Sequence, residues 1–523
     1  MSNNYYGNDI PNKWLVQKFG GTSVSTASRW HTIAGIVHAR RGDGYRLMVV
    51  CSALSGITNA LDSLADSVLA GVPPDARISA IIARHEALCE ALGLDASTVL
   101  ERFFQSLREC VVEFASDPGP RTRAELLAMG ERMSSALGCA FLCARGMTAR
   151  WLDARYLLFA EHSDAVLDDE RHFLSARCTY EPNPRLLASL HHGDGCDIVI
   201  TQGFVARDSR GYTVLLGRGG SDSSASYLAA ILSAERLEVW TDVPGLFSAN
   251  PQQIPGARML PRVSYEEARV YAGLGAKVLH PRCLLPVQTY GIPVRVGWTE
   301  RPELAGTWID QDGSRWSGVR TVSARRNLLL ISMTRDAAWQ PVGFMAQVAS
   351  CFSRHGLSMD LIATSPGDIR VSIDRAACPH LDDALPVLLA ELSAFCRPEV
   401  VPEVTCVSIA GRAIRADAKR LSEVLATLAG LHVYMVCWAA DDSHLSVVIA
   451  AEMDSDLVEH IHRELFEQID HGSKTEHLGP SWQSINAPAD PMLTAVSTAP
   501  VVRLSTEESM DHETVFAPEN VLQ

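Results

Sequence analysis

A lysine, a glycine pair and two hydroxyl residues follow a short apolar run near the start of the chain. The run Trp14–Val16 predicts a strand, and Lys18, Gly20 and Gly21 come shortly after it. Adjacent glycines let backbone N–H groups point at an anion without a Cβ in the way, and Lys18 adds a positive charge. The hydroxyl pair Thr22–Ser23 stands where a helix would begin, which favours phosphate oxygens. The segment predicts a phosphate-binding turn, with a plain tight turn as the alternative, since its glycine spacing differs from that of a P-loop.

A second glycine-rich turn carries charges of both signs. Residues 216–225 read Leu-Gly-Arg-Gly-Gly-Ser-Asp-Ser-Ser-Ala, which predicts a tight turn that opens a helix. Arg218 can bind a carboxylate through two parallel hydrogen bonds. Asp222, in the first helical turn, suits the helix dipole and could also bind an ammonium group or a metal. The two residues indicate a small charged substrate, with a well-capped helix as the alternative.

Three further charged residues lie in segments that could reach the same place. Glu131 lies in the helical stretch 121–146, Asp242 follows the apolar run Leu237–Thr241, and Lys277 lies in a short segment after a glycine. Taken alone, each is more often an ordinary surface charge. They become candidates for a site only if the fold brings them to the two glycine turns.

Residues 14 to about 298 alternate apolar runs with helical stretches. Runs such as Arg46–Val50 and Asp197–Thr201 end in small polar clusters. This alternation predicts an α/β fold with a mostly parallel sheet that is covered on both faces. Ligands bind beyond the carboxyl ends of such strands, so the charged residues above should meet there.

A different pattern begins near residue 320, where the order strand, helix, strand, strand occurs twice. Two such units predict tandem small α/β sandwiches. From about residue 473, Pro, Ser, Thr, Ala and Glu dominate, which predicts a linker or a disordered tail. The predicted division is an N-terminal extension (1–13), an α/β domain (14–315), two small domains (320–399 and 400–472) and a tail (473–523).

The composition excludes several classes of protein. The formal net charge of −15 argues against nucleic acid or an anionic membrane as the main partner. The thirteen cysteines are scattered without a CxxC pair, and no histidine cluster has metal-ligand spacing, so no metal site is expected and a reducing cytosol is favoured. The N-terminus lacks an export signal, and no apolar run reaches the roughly 20 residues that span a bilayer. The sequence therefore predicts a soluble cytoplasmic protein.

Taken together, the polar segments resemble the motif set of the aspartate kinases. In chain order the matching segments are 18–24 (KFGGTSV), 52–59 (SALSGITN), 217–222 (GRGGSD), 240–245 (WTDVPG) and 275–281 (GAKVLHP). Downstream, residues 343–348 (GFMAQV) and 358–365 (SMDLIATS) resemble the regulatory ACT repeats of lysine-sensitive members. The resemblance implies an amino-acid-kinase α/β sandwich followed by two ferredoxin-like ACT domains.

The resemblance implies transfer of the ATP γ-phosphoryl group to the β-carboxylate of L-aspartate, with Mg²⁺ on the phosphates. The side-chain pKa of aspartate is near ~3.9, so the nucleophile is ionised at neutral pH and needs no general base. Catalysis would rest on positioning and charge neutralisation. Lys18 would neutralise the transferring group, Arg218 would bind the α-carboxylate and Glu131 the α-ammonium group of aspartate.

The resemblance assigns the site residues by matching position. The implied catalytic residues are Lys18, Arg218 and Asp222. The implied aspartate-binding residues are Ser52, Thr58, Glu131, Arg218, Gly219, Gly220 and Ser221. The implied nucleotide-binding residues are Lys18, Phe19, Gly20, Gly21, Thr241, Asp242, Phe247, Gln252, Lys277 and Val278.

The resemblance also implies feedback inhibition by lysine and a homodimer joined through residues 320–470. Asp360 is the expected partner of the lysine ammonium group, with a turn-capping role as the alternative, and a helix N-terminus near Gly343 suits a carboxylate. Pro366 and Gly367 stand where lysine-sensitive members have an acidic residue, which leaves threonine as the alternative effector. The implied effector-binding residues are Gly343, Phe344, Met345, Ser358, Met359, Asp360, Thr364 and Ser365.

One segment departs from the family pattern. After Phe247 most members have Asp-Pro-Arg, whereas this chain has Asn250, Pro251 and Gln252. Loss of one charge of each sign leaves open a kinase-like amino-acid sensor with little turnover. A kinase acting on another small amino acid, such as glutamate, is the third hypothesis, and the ACT pair counts against it.

Overall fold

The computed structural model describes most of the chain. The described residues are 13–161, 169–191, 196–276, 278–313, 316–335, 342–378, 380–450, 457–466 and 477–487. The predicted N-terminal extension apart from Lys13, the candidate Lys277, and tail residues 473–476 and 488–523 lie outside them.

An eight-stranded sheet forms the centre of the first domain. The strands of this domain are β1 (Trp14–Phe19), β2 (Arg46–Cys51), β3 (Ala149–Trp151), β4 (Ile198–Gln202), β5 (Val205–Arg207), β6 (Thr213–Leu215), β7 (Arg236–Thr241), β8 (Arg262–Ser264), β9 (Val294–Trp298) and β10 (Thr307–Asp310). The order across the large sheet is β3-β4-β2-β1-β7-β9-β10-β8, and β5 pairs with β6. The first six strands in that order are parallel neighbours, whereas β10 is antiparallel to β9. The predicted mostly parallel α/β sheet is confirmed.

Helices cover both faces of this sheet, since every residue of β2, β4 and β9 is buried. The helices are α1 (Ala27–Gly42), α2 (Ile57–Leu69), α3 (Asp75–Ala91), α4 (Ala96–Val99), α5 (Glu101–Ser116), α6 (Pro120–Ala144), α7 (Asp169–Leu174), α8 (Pro184–His191), α9 (Gly220–Ile231), α10 (Tyr265–Gly273) and α11 (Leu284–Thr289). Short 3₁₀ turns occupy Ala154–Tyr156 and Pro281–Cys283.

Helix α6 is the most apolar of the long helices. Among the described residues it alone is long and apolar enough, by length and composition, to cross a membrane, but 83% of its apolar stretch is buried inside the protein. It packs against α2, α5 and β4. The apolar composition of α6 is therefore explained by its burial in the core of the first domain.

A second, six-stranded antiparallel sheet forms the C-terminal region. Its elements are β11 (Gly318–Thr334), α12 (Phe344–Arg354), β12 (Ile362–Ser365), β13 (Asp368–Asp374), α13 (Leu381–Leu392), β14 (Arg397–Arg412), α14 (Ala418–Thr427), β15 (Val433–Trp438), β16 (His444–Ala450) and α15 (Leu457–Phe466), with a 3₁₀ turn at Ile414–Asp417. The strand order is β12-β13-β11-β14-β16-β15. Each pair of neighbours is antiparallel.

The two long central strands, β11 and β14, run through both small units. Leu329 and Ile331 of β11 pack in one core with α12 and α13, whereas Val319 and Val322 of the same strand pack in a second core with α14 and α15. The two α/β units exist as predicted, but the predicted boundary at residue 399/400 does not separate them. Each unit takes half of β11 and half of β14 because the strands are twice the usual length.

Part of the predicted tail has a defined structure. Residues 477–487 pair with the backbone of Met259 and form the short helix α16 (Trp482–Asn486). Ile485 on this helix is buried. The prediction of a linker or disordered tail is therefore wrong for residues 477–487.

Candidate active site at the carboxyl edge of the first sheet

Four adjacent parallel strands end at one edge of the first sheet. β1 ends at Phe19, β2 at Cys51, β7 at Thr241 and β9 at Trp298. Because the strands are parallel neighbours in register, the polar residues that follow them share this edge. The topology thereby brings the first glycine turn beside the segments after β2 and β7.

The turn after β1 is held by close backbone contacts. The N–H of Gly20 donates to the carbonyl of Trp240 at 3.1 Å. A Cβ on Gly21 would lie 2.9 Å from the carbonyl oxygen of Ala53, so this position excludes larger residues. Gly21 therefore lets the turn pack closely against the segment after β2, whereas a Cβ on Gly20 would make only ordinary contacts.

The hydroxyl pair after the glycines differs from the prediction. α1 begins only at Ala27, where the Thr26 side chain accepts a hydrogen bond from the first turn, so Thr22–Ser23 does not open the helix. The Ser23 hydroxyl is buried and lies 2.7 Å from Oγ1 of Thr299. Ser23 thus ties the turn to the end of β9 rather than facing a ligand.

Lys18 and Asp222 form an ion pair inside the site. Nζ of Lys18 lies 2.5 Å from Oδ1 of Asp222, and the two side chains are only 11% and 13% exposed. Lys18 comes from β1 and Asp222 from the first turn of α9, so the pair joins the two glycine turns. In this arrangement Asp222 balances the charge of Lys18, and an incoming phosphate would compete with Asp222 for the ammonium group.

The second glycine turn is packed tightly around the start of α9. Gly219 has φ of 68°, and a Cβ there would lie 2.3 Å from Cβ of His280. A Cβ on Gly203, after β4, would lie 2.6 Å from Cβ of Ser221, and Gly220 is similarly close to Phe204. The turn can approach β4 and the His280 segment only because these residues are glycines.

Arg218 contacts the C-terminal region. Its side chain is exposed, and Nη2 donates a hydrogen bond to the carbonyl of Ala376, in the turn between β13 and α13. Arg218, which was expected to bind a substrate carboxylate, therefore also contacts the domain that contains the second sheet.

Glu131 is a buried carboxyl group with unused hydrogen-bonding capacity. It is 3% exposed, and its Oε2 has no hydrogen-bond partner among the described residues. Burial raises the pKa of Glu131 to about 8, and a hydrogen bond from the backbone of Ala53 offsets part of that shift. A substrate ammonium group beside Oε2 would both satisfy the oxygen and stabilise its charge.

The segment after β2 supplies the other predicted substrate residues. Ser52 is half-buried, and its N–H donates to the carbonyl of Phe19 at 3.1 Å. Thr58 is half-buried in the first turn of α2, which begins after Gly56. The backbone of Ala53, the residue after Ser52, contacts both Glu131 and the Gly21 position, so the segment after β2 links the acidic group to the glycine turn.

The predicted nucleotide-binding residues after β7 differ in their exposure and in their hydrogen-bond partners. Oγ1 of Thr241 donates to the exposed carboxylate of Asp242 at 3.0 Å, at the end of β7. Val278 is half-buried next to Lys277, which lies outside the described residues. Gln252 is exposed, and its N–H donates to Oδ1 of Asn250 at 3.1 Å.

Phe247 differs from its predicted position. Its ring is buried and lies 5.9 Å, centroid to centroid, from the ring of Trp482 in α16. The side chain therefore belongs to the core between the two sheets and does not face the open edge. Phe247 was assigned to the nucleotide site from its motif alone. Nothing in that motif indicates that Trp482, near the C-terminus, covers its ring.

The predicted effector residue Asp360 already has a cationic partner. Nη1 and Nη2 of Arg325 donate to its two carboxylate oxygens at 3.0 and 2.7 Å. Arg325 was not among the sequence-predicted residues, and its only local signal was a charge in an apolar strand. Of the other effector candidates, Gly343 caps α12 with φ of 96°, Phe344 is buried, Met359 is half-buried, and Met345, Ser358, Thr364 and Ser365 are exposed.

Comparison with known proteins decides the family. The model of the Amino acid kinase family matches residues 13–297. Lysine-sensitive aspartokinase 3 of Escherichia coli is 32% identical, over 87% of this chain and 99% of that protein. The chain belongs to the aspartokinase family.

Two solved structures of E. coli aspartokinase III are similar to this aspartokinase-family fold. The complex with aspartate and ADP, described as the R-state, has a TM-score of 0.76 at 32% identity and covers 87% of this chain and 100% of that chain. The complex with lysine and aspartate, the T-state, has a TM-score of 0.67 at 32% identity, covering 87% and 99%. The arrangement of this chain is thus more similar to that of the first complex.

The buried Glu131 of this family member gives a first prediction. Its folded-state pKa of about 8 lies above the ordinary value of 4.5, so the native state binds the proton more tightly than the unfolded state. Stability should therefore fall as pH rises from about 5 to about 8, and level off above. Glu131→Gln keeps the shape without the charge, so its melting temperature should exceed that of the wild type increasingly over this range.

Melting curves without substrate at pH 5, 6, 7, 8 and 9 check this expectation. Glu90→Gln, at an exposed position, serves as the matched control and should follow the wild type at every pH. A constant difference between Glu131→Gln and wild type across the range would contradict the raised pKa.

Proposed function

We propose that this chain is an aspartate kinase that transfers the ATP γ-phosphoryl group to the β-carboxylate of L-aspartate. The observation that carries the proposal is Glu131: a buried carboxylate oxygen without a partner, beside the segment that borders the glycine turn. Such a group selects a cationic ligand, and an amino-acid ammonium fits it. The Lys18–Asp222 pair at the same edge supplies the phosphate-facing charge.

The residues would act by placing two anions next to each other. Glu131 would fix the α-ammonium group, and Arg218 the α-carboxylate, so that the β-carboxylate points towards Lys18. Lys18 would exchange Asp222 for the transferring phosphoryl group, whose charge is greatest as it moves. Gly21 would bring its backbone N–H to the phosphates, whereas the N–H of Gly20 holds the turn on Trp240.

The acidic residues at this edge also fit a magnesium–nucleotide complex. Among the described residues no cluster of three or more His, Cys, Asp or Glu could hold an ion alone. Mg²⁺ usually takes one or two carboxylates together with phosphate oxygens and water, and Asp222 and Asp242 are the carboxylates that fit this role. Mg²⁺ bound with ATP would neutralise charge between the phosphates.

An ADP-release assay with purified enzyme, ATP and Mg²⁺ tests the proposal. Release should depend on aspartate and exceed that with glutamate or without acceptor, and hydroxylamine should trap the acyl phosphate. Aspartate binding without ADP release would instead favour the amino-acid sensor. Equal release with glutamate would favour a kinase of different specificity.

We further propose that lysine inhibits the enzyme by binding at the start of α12 and along β12. The E. coli relative is named as lysine-sensitive, and one of its structures contains lysine. In this chain, Asp360 and the exposed hydroxyls of Thr364 and Ser365 are the polar groups there. We place the enzyme in the cytoplasm, because none of the thirteen cysteines, all of which lie among the described residues, forms a disulfide, as is usual in reducing compartments.

A homodimer formed through the second sheet is the expected assembly. The edge strand β12 exposes Ile362, and α12 exposes Met345, both large apolar side chains. Exposed apolar residues on a sheet edge favour pairing with a second chain. Light scattering of the intact chain should give twice the 56.9 kDa of one chain. Ile362→Lys should shift the mass towards the monomer, whereas a wild type that is monomeric at micromolar concentration would contradict the assembly.

A further inference from the structure

A hairpin of the first domain carries the segment that departs from the family. Residues 246–260, here called the nucleotide hairpin, follow the Asp242 segment. Leu260 N–H donates to the carbonyl of Leu246 at 2.8 Å, which closes the hairpin. Asn250 and Gln252, which replace the usual charged pair, lie near its tip. Because neither charge is present, an ion pair of these two residues cannot fix the tip. Its position therefore depends on packing around the hairpin.

The C-terminal segment 477–487, here called the strap, runs antiparallel along this hairpin. Met259 accepts a hydrogen bond from Gly479 N–H at 2.7 Å and donates to the carbonyl of Pro480 at 3.0 Å. The N–H groups of Trp482 and Gln483 donate to further hairpin carbonyls at 2.8 and 2.9 Å. Four backbone hydrogen bonds therefore hold the strap against the hairpin, through an antiparallel bridge between Arg258 and Ser481 and through the first turn of α16.

Arg258 joins the strap to the rest of the molecule. Its Nε and Nη2 donate to the carbonyls of Gly479 and Leu478 at 3.0 and 3.2 Å. Its own N–H donates to Oγ of Ser248 at 2.9 Å, and that oxygen lies 2.8 Å from Nε2 of His462 in α15. These hydrogen bonds link the strap and the hairpin to helix α15 of the C-terminal region.

Trp482 is the apolar anchor of the strap. Its ring lies 5.9 Å from Phe247 of the hairpin and 5.5 Å from Trp298 at the end of β9. Ile485 is buried in the same core. Trp298 precedes Thr299, the residue that holds the glycine turn, so the anchor rests on two elements that border the nucleotide site.

We propose that the strap is a positioning element for the nucleotide, which holds the nucleotide hairpin in its binding conformation through Trp482. This inference rests on the proposed function, because it needs the hairpin to contact ATP. Trp482 does not touch the nucleotide and acts through Phe247 and the hairpin backbone. Loss of the anchor should therefore weaken ATP binding while leaving aspartate binding and the chemical step intact.

Kinetics of full-length Trp482→Ala test the proposal. KM for ATP should rise about tenfold, within the usual range of coupling between linked elements, whereas KM for aspartate and kcat should change less than twofold. Trp482→Phe should recover most of the loss. Gln483→Ala, the exposed neighbour, is the matched control and should behave as wild type. Unchanged KM for ATP in a folded Trp482→Ala would overturn the proposal.

Hydrogen exchange of the wild type gives an answer even if Trp482→Ala does not fold. Because coupling is reciprocal, ADP should slow exchange at the amides of Gly479, Trp482 and Gln483. ADP that binds without any slowing at these amides would overturn the role of the strap. A wild type that does not bind ADP at all would instead contradict the proposed function.

Discussion

Replacing Lys18 with alanine should lower kcat by about 10²–10³-fold while changing the Kd for aspartate little. Removal of one group that stabilises charge in the transition state typically has an effect of this size. The structure adds a second reason, because the substitution leaves Asp222 without the ammonium group now 2.5 Å away. An unpaired carboxylate at this place would repel the incoming phosphoryl group.

Steady-state kinetics and calorimetric binding of aspartate check this expectation. Lys13→Ala is the matched control, since Lys13 lies just before the same strand but pairs with Glu235 at the surface. The control should keep wild-type kcat. A fall in kcat in both variants, or in neither, would contradict the assignment of Lys18.

Substitution of Arg218 should affect the binding of aspartate more than the chemical step, in contrast to substitution of Lys18. Arg218→Ala should raise KM for aspartate and lower kcat less, because the guanidinium binds the part of the substrate that does not react. Its exposure and its hydrogen bond to Ala376 indicate an effect at the lower end of the range for hydrogen bonds to charged groups, which is about 1.5–3 kcal/mol.

The sequence predicted those parts of the structure that local patterns determine. Apolar runs with polar ends predicted the parallel sheet, and parallel strands necessarily brought Lys18 and Asp242 to one edge. The glycine turns were predicted because glycines let backbone N–H groups face an anion, and the structure adds that Gly21 and Gly219 approach neighbouring protein atoms closely. Glu131 was identified only through the family motif, since its helix carries no local signal for a site.

The remaining features depend on contacts between distant residues. Trp482 and Phe247 are 235 positions apart, and the composition of the tail gave no sign that it would pack. The boundary between the two small units failed because β11 and β14 are shared, which strand patterns alone do not reveal. Arg325 was missed because it is one of three arginines on β11, and only its contacts with Asp360 and with the first domain distinguish it.

Arg325 connects the predicted effector segment to the first domain. Besides its paired contact with Asp360, its Cγ would lie 2.8 Å from a Cβ on Gly275, in the segment that contains Lys277. Two residues earlier on β11, Ser323 donates to the carbonyl of Leu274 at 2.9 Å. A ligand that takes Asp360 away from Arg325 would therefore disturb a contact between the second sheet and the Gly275 segment of the first domain.

Replacing Arg325 with alanine should separate lysine binding from lysine inhibition. The substitution removes the cation that competes with the lysine ammonium group for Asp360, so lysine should bind at least as tightly as in the wild type. It also removes the contact with Gly275, so bound lysine should no longer inhibit. Saturating lysine should change the substrate affinity of the wild type by about 5–150-fold, the range of a coupling free energy of ~1–3 kcal/mol, and should leave that of the variant nearly unchanged.

Asp360→Ala should act differently, by abolishing the lysine contact and leaving Arg325, only 13% exposed, without its carboxylate. An unpaired, mostly buried cation is costly, so basal activity should fall as well. Calorimetric titration with lysine, alongside inhibition curves, distinguishes the variants, and Arg326→Ala at the exposed neighbouring position is the control. Arg325→Ala that binds lysine and remains inhibited at the wild-type concentration would show that the signal does not pass through this ion pair. If the coupling is as described, only Arg325→Ala binds lysine without responding to it, because it alone keeps the effector's carboxylate partner and loses the contact with Gly275.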